Sequence, residues 1–308
     1  MRNQFLRFLV LIGLNACNPV FNGAIVRQPA TTPKVNPANP VSVMIYKDNE
    51  FGAEWLKKSN AESLILKAKD GTTLHGYYIR NDRPSKQLVI LIHGHRADAR
   101  MMAKYAVLYQ HLGYNVFMAD NRAHGSSEGE YIGMGWLDRL DYLEWIDILI
   151  KKLGKDTKIV LHGVSMGGAT VLMMSGEALP SQIKAIVEDS GYTSVHDELS
   201  HQINNLYHIP TFPLLNLASS KTKDKAGYSF EEASALEAVK RSKTPTLFIH
   251  GEQDNYNPVW MAQKLYEAAN CPKELWIVPG ALHAMSYHDQ PEQYRETVAK
   301  FLKKYTAK

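Results

Sequence analysis

The chain has 308 residues, 45% hydrophobic and 21% charged, enough to bury a full core, and only its N-terminus suggests disorder. A net charge of +4 is mild, and the basic clusters Lys151-Lys152 and Lys221 to Lys225 lie among acids or at expected helix ends and loops, which argues against nucleic-acid binding. Two cysteines, Cys17 and Cys271, permit at most one disulfide and have no metal-ligand spacing.

Met1 to Arg7 carries two arginines and no acid, Phe8 to Leu14 is apolar, and Asn15-Ala16-Cys17 follows. That is the layout of a secretory signal, and the apolar run is too short to span a bilayer, which takes about 20 residues. Leu14-Asn15-Ala16-Cys17 also resembles a bacterial lipobox, with Asn15 atypical, so residues 1–17 are expected to be a signal or lipoprotein-like segment. Residues 18–42, with Pro19, Pro29, Pro33, Pro37 and Pro40, read as an extended, semi-rigid spacer. The expectation is an exported protein attached to the membrane by a lipid on Cys17, active without residues 1–40. The alternative is a cytoplasmic protein whose N-terminal helix packs on the domain.

Residues 43–308 read as one domain. Ala61 to Lys69 and Thr72 to Arg80 alternate in polarity and meet at Asp70-Gly71, a hairpin signal. Gln87 to Ile92, Tyr114 to Ala119, Lys158 to His162, Ile183 to Val187, Pro245 to Ile249 and Glu274 to Val278 are short β-rich, largely apolar runs, as buried parallel strands should be. Helical patterns separate them at Asp98 to Leu112, Gly135 to Leu153, Met166 to Leu179, Pro258 to Ala269 and Pro291 to Lys304. This alternation predicts an α/β fold with a doubly wound, mainly parallel sheet. Residues 192–243 break it with helical pieces and prolines and read as an inserted helical cap.

In such sheets ligands bind at the carboxyl ends of the strands. Gly163-Val164-Ser165-Met166-Gly167 follows the strand from Lys158 and opens a helix, the arrangement of a nucleophile elbow. The glycines leave room where a Cβ would strike the neighbouring strand or helix. His93 to Asp98, His250 to Asp254 and Pro279 to His283 also follow strands, so Ser165, Asp254 and His283 occur in serine, acid, histidine order.

His93-Gly94, Asp120 to Gly129, Gly163 to Gly168, Phe248 to Asp254 and Gly280 to His283 together resemble the α/β-hydrolase superfamily, nearest to bacterial esterase-like and serine-aminopeptidase-like hydrolases. The resemblance covers about Ala61 to Lys304. It implies a carboxylesterase-like serine hydrolase with no cofactor and no metal, acting on a small acyl substrate. Ser165 would attack a carbonyl carbon, His283 would move the proton, and Asp254 would orient the imidazole. The backbone N–H groups of His95 and Met166 would form the oxyanion hole. Two positions depart from the family: Asn257-Pro258 stands where Val-Pro is usual, and His95 where Tyr or Gly is frequent.

Other readings compete. His93-Gly94-His95 has the form of a metal-binding His-x-His, the basis of a metallohydrolase alternative, though no second ligand set supports it. Asp189 is an alternative acid, His162 and His250 read as packing residues, and Asp120 and His124 as braces of their loop. The same triad serves aminopeptidases and thioesterases, and a non-catalytic binding protein is disfavoured by its completeness. The apolar cap stretch Leu206 to Leu215 favours hydrophobic acyl groups.

Overall fold

The computed structural model describes residues 17–29, 35–208 and 210–306. Eight strands form one sheet in the order β1-β2-β4-β3-β5-β6-β7-β8, namely β1 (Glu62–Lys67), β2 (Thr73–Ile79), β3 (Gln87–Ile92), β4 (Asn115–Ala119), β5 (Lys158–Val164), β6 (Ile183–Asp189), β7 (Thr246–Gly251) and β8 (Lys273–Val278). β1 and β2 pair antiparallel around Asp70-Gly71, where Gly71 takes φ 88° and Asp70 Oδ1 accepts from the Thr72 amide. β2 pairs antiparallel with β4, and from β4 to β8 every pairing is parallel.

The two-residue side-chain period of β3 explains the layers. Val89 and Leu91 face a core containing Tyr105 and Tyr109 of α3 (Ala103–His111) and Phe301 of α11 (Pro291–Thr306). Leu88, Ile90 and Ile92 face the other way, onto Trp145 and Ile146 of α4 (Asp138–Leu153) and Val171 of α5 (Met166–Met174). All five residues are fully buried, each contributing about 1.5–3 kcal/mol of transfer free energy, so both faces need a helix layer. The doubly wound, mainly parallel expectation is met.

Two expected elements change at their ends. Asp98 to Leu112 is a 3-10 turn, Ala99–Met102, before α3, because the Asp98 carboxylate accepts from the Arg100 amide and starts a tight turn. The helix expected to run to Leu179 ends at Met174. A Cβ on Gly176 would lie 2.8 Å from the Ala238 Cα, where the cap crosses. The cap supplies α6 (Val195–Tyr207), α7 (Leu214–Ala226) and the short α8 (Ala235–Val239).

The N-terminal region differs from expectation. Residues 1–16, most of the signal-like segment, lie outside the described residues. The expected spacer begins as a helix rather than an extended segment: Asn18–Ala24 forms α1, and Cys17, Phe21 and Ile25 are buried in one core with Met166, Tyr192 and Leu215. Burying three apolar side chains outweighs the polar composition on which the spacer reading rested. Pro40 does not close a spacer but opens α2 (Pro40–Lys58), with Asn39 Oδ1 accepting from the Ser42 amide and Lys57 and Lys58 in the last turn. α2 lies so close to the turn before α3 that a Cβ on Gly52 would meet the Arg100 carbonyl at 2.1 Å. The body therefore begins at α2 rather than at residue 43. α9 (Trp260–Ala268) and α10 (Ser286–Asp289) complete the helices named among the described residues.

Candidate active site

Ser165 stands between β5 and α5 with φ 57° and ψ −119°, a strained geometry for a residue with a Cβ. Its amide donates to the Asp189 carbonyl at 2.8 Å and its carbonyl accepts from Ala169, which fixes the turn on both sides. A Cβ on Gly163 would sit 1.9 Å from the Gly167 carbonyl oxygen, and one on Gly167 would sit 2.0 Å from that of Ile92. Only glycine permits this approach of β5, α5 and β3.

The loops after β7 and β8 bring two other groups to it. His283 Nε2 lies 2.9 Å from Ser165 Oγ, and His283 Nδ1 lies 2.7 Å from Asp254 Oδ2. With Nδ1–H donating to the carboxylate, Nε2 is bare and accepts the serine hydroxyl. Asp254 Oδ1 accepts from the Tyr256 and Asn257 amides at 2.9 and 2.8 Å. Burial alone would raise the Asp254 pKa, but the His283 and His250 rings and their hydrogen bonds outweigh it and hold the carboxyl well below the usual range. It stays ionised against an imidazole.

The alternative acid is elsewhere. Asp189 Oδ2 accepts from the Tyr294 hydroxyl at 2.9 Å and Oδ1 from Ser190, and neither oxygen bonds the His283 ring. His162, on β5, is fully buried between the Tyr109 and Tyr294 hydroxyls. His250 donates Nε2–H to the Asn257 carbonyl at 2.7 Å and stands 3.4 Å from Asp254 Oδ2, so it flanks the acid and is more than packing. Asp120 and His124 brace their loop as expected: Asp120 accepts from Ala99 and Ser126, and His124 Nε2 accepts from the Arg96 amide.

Both departures from the family pattern have structural uses. The Asn257 side chain donates to the Ser190 carbonyl at 2.8 Å, tying the acid loop to the end of β6. His95 Nε2–H donates to the Ala24 carbonyl at 2.8 Å, and the neighbouring Arg96 guanidinium donates to Gly23 at 2.6 Å. Burial pushes the His95 pKa down to about 4, so the ring is neutral and holds the tautomer that this bond requires. The expected oxyanion loop is thus braced by α1, a contact that sequence alone had no means to reveal. The Gly94–His95 peptide passes beside the serine, where a Cβ on Gly94 would lie 3.3 Å from that of Ser165.

His93 and His95 do not form a metal pair. His93 Nδ1–H donates to the Gly94 carbonyl and Nε2 accepts from the Asn121 amide, so both nitrogens are engaged. Among the described residues no group of three or more His, Cys, Asp or Glu has metal-holding geometry.

A cleft of about 1820 Å³ opens over Ser165 and His283. Its walls include Tyr192, Leu199 and Ile203 of the cap region, Val20 and Ala24 of α1, and Tyr256, whose ring lies 4.8 Å from that of His283. From the apolar stretch that the sequence marked as a lid, Leu214 lines the cleft. Phe212 is 76% exposed and Leu215 is buried in the core behind it. The wall comes instead from α6, anchored by His201 and Gln202, which bond the Asn255 and Tyr256 carbonyls.

The model of the prolyl oligopeptidase family matches residues 99–308, which hold the elbow, the acid and the histidine. The chain belongs to that family. Its curated relatives include the Bacillus subtilis protein YqkD, 30% identical over 250 residues, or 81% of each chain. Among solved structures the Pyrococcus furiosus esterase Pf2001 superposes with TM-score 0.67 at 24% identity, over 91% of this chain and 99% of that one. The acylaminoacyl peptidase of Pyrococcus horikoshii superposes with TM-score 0.59 at 16% identity, over 79% of this chain and 41% of that one. At these identities the structures establish the α/β-hydrolase fold, and the family establishes a hydrolase.

Proposed function

We propose that this hydrolase cleaves carboxylic acyl bonds, esters with small to medium hydrophobic acyl groups foremost, through an acyl-enzyme on Ser165. The observation that carries the reading is the continuous Ser165–His283–Asp254 chain of 2.9 and 2.7 Å at the mouth of an apolar-walled cleft. Ser165 Oγ attacks the carbonyl carbon while its proton passes to His283 Nε2, and Asp254 stabilises the imidazolium that results. The Met166 and His95 amides receive the charge that develops on the carbonyl oxygen. His283 then returns the proton to the leaving group, water attacks the acyl-enzyme with His283 as base, and Ser165 is released. The family match lends weight to amide cleavage as a second reading with the same residues.

A fluorophosphonate probe should label the wild type with one equivalent and leave Ser165→Ala unlabelled. Turnover of p-nitrophenyl esters should fall by at least about a thousandfold in that variant. Equal labelling of both proteins removes the serine mechanism. Comparing esters, aminoacyl amides and thioesters ranks the bond types.

Export, with attachment through Cys17, belongs to the same proposal and rests on the basic and apolar start of the chain. Cys17 is fully buried at the head of α1, so a lipid on its sulfur requires that turn to leave the core. Bacterial fractionation with and without Cys17→Ala tests it.

A further inference from the structure

The cleft contains a carboxyl group that the mechanism does not use. Glu198, in the first turn of α6, is only 4% exposed, yet among the described residues its Oε2 has no hydrogen-bond partner, and it lines the cleft that holds Ser165 and His283. Capping does not account for it. Ser194 Oγ already accepts from the Asp197 amide, and the Thr193 hydroxyl donates to Asp197, so the helix start is served by the neighbouring acid. The nearby Tyr192 hydroxyl is likewise committed, to the Met134 carbonyl. A buried polar group with no partner costs stability, and one in a cleft beside a reactive serine is where a substrate supplies the partner.

The chemistry of that partner follows from the surroundings. Leu199, Ile203 and Leu214 surround the cap side of the cleft, and burial raises the Glu198 pKa to about 8, so near neutral pH the group is mostly an uncharged acid with one donor and free acceptors. On the other rim, Arg27 donates to the Ser127 and Gly125 carbonyls and Arg96 to the Gly23 carbonyl. Among the described residues neither arginine pairs with a carboxylate. Asp98 and Asp120 line the same cleft, Asp98 paired with Arg100 and Asp120 held by the Ala99 and Ser126 amides, so the lining carries both signs and offers an ammonium no net attraction to offset the hydration it would lose on entering.

Building on the acyl-hydrolase reading, we infer that Glu198 is a specificity residue that takes a neutral hydroxyl or carboxamide carried on the substrate, a group that both donates and accepts a hydrogen bond. The preferred substrate is then an apolar acyl compound with one uncharged polar group, rather than a plain fatty ester. A hydrogen-bonding pocket rejects the analogue that leaves its polar group unpaired, which gives selectivity that an apolar wall alone does not reach.

The test uses the full chain and p-nitrophenyl esters in matched pairs, plain and bearing a hydroxyl or a terminal carboxamide at successive positions along the acyl chain. In the wild type at least one polar ester should exceed its plain partner in kcat/KM by about tenfold. Glu198→Leu should abolish or reverse that ratio. Glu198→Gln, which keeps a donor and an acceptor, should retain most of it. A ratio unchanged in Glu198→Leu at every position overturns the inference, as does a wild-type preference for an ammonium-bearing ester that Glu198→Gln abolishes. Fluorophosphonate labelling of Ser165 in the same samples keeps the two readings apart, since labelled protein without polar selectivity rejects the Glu198 role alone. If no ester turns over, binding of hexanamide by ligand-observed NMR decides: loss in Glu198→Leu supports the site, and equal binding in both proteins refutes it.

Discussion

The glycine-rich turn at Ser165, the proposed nucleophile elbow, and the N-terminal wall touch the same cleft and are held in opposite ways. At the elbow, Gly163 and Gly167 let β5, α5 and β3 approach to distances that a single Cβ would forbid, so local sequence and local geometry are one fact. At the wall, α1 is a short helix whose place depends on partners about 100 residues away. The Ile132 amide donates to Ile25, the Arg27 amide to Glu130, and the Arg27 guanidinium to Ser127 and Gly125. The elbow is rigid by exclusion, whereas the wall is held by a sum of replaceable contacts. Damage to the first should be all-or-none, and damage to the second graded.

The most severe way to break the elbow side is Gly167→Val. With backbone 2.0 Å from the added Cβ there is no side chain to move aside, and soluble, fluorophosphonate-reactive protein should be lost altogether. Asp254→Asn keeps the packing and removes the charge, so kcat should fall by about a thousandfold or more with little change in KM. Asp189→Asn should cost far less, because its carboxylate bonds Tyr294 and Ser190 rather than the imidazole. A reversed ranking in steady-state kinetics would hand the acid role to Asp189.

On the wall side, deletion of residues 1–29 takes away the Ala24 and Gly23 carbonyls that brace His95 and Arg96. Contrary to the spacer expectation, activity should drop by about tenfold or more while circular dichroism still shows a folded α/β domain. Full activity after the deletion would show that the oxyanion loop stands unaided. His95→Ala should reproduce part of that loss, at a cost of about 1–2 kcal/mol in the transition state, read from kcat/KM.

A smaller effect separates the two carboxyls by pH. The Asp254 pKa is depressed in the folded protein, so its stabilising contribution is present above the unfolded value near 4 and lost as pH falls below it. Glu198 has the opposite sign. Its folded pKa is raised to about 8, so the native state holds a proton that the unfolded chain gives up at about 4.3, and stability erodes as pH rises between those values. Thermal unfolding of Glu198→Gln should show a gain over wild type that grows from about pH 4 to pH 8, and a constant difference would contradict the raised pKa. The smallest change is expected at Phe212→Ala. That side chain is 76% exposed, so the variant should leave acyl-length preference and Tm within error.

Short-range rules reached most of the catalytic side of the molecule. Period-two apolar runs marked the strands, Asp70-Gly71 marked the hairpin, and glycine spacing marked the elbow, because each depends on neighbours within a few residues. The carboxyl ends of the parallel strands then placed Asp254 and His283 near Ser165 before any distance was known. The two ends of α2 were also legible, in Asn39-Pro40 and Lys57-Lys58, but proline content read as a linker obscured them.

The sequence by itself thus determined the sheet, the elbow and the order of the site residues, since steric exclusion at glycine and burial at alternate positions are local physics. Tertiary structure alone decided that Asn18–Ala24 walls the cleft, that Phe212 faces solvent while Leu214 faces the cleft, and that Glu198 Oε2 is buried without a partner among the described residues. Each of these depends on what a distant segment covers. Desolvation and hydrogen-bond satisfaction belong to the assembled surface and not to the residue that carries the group.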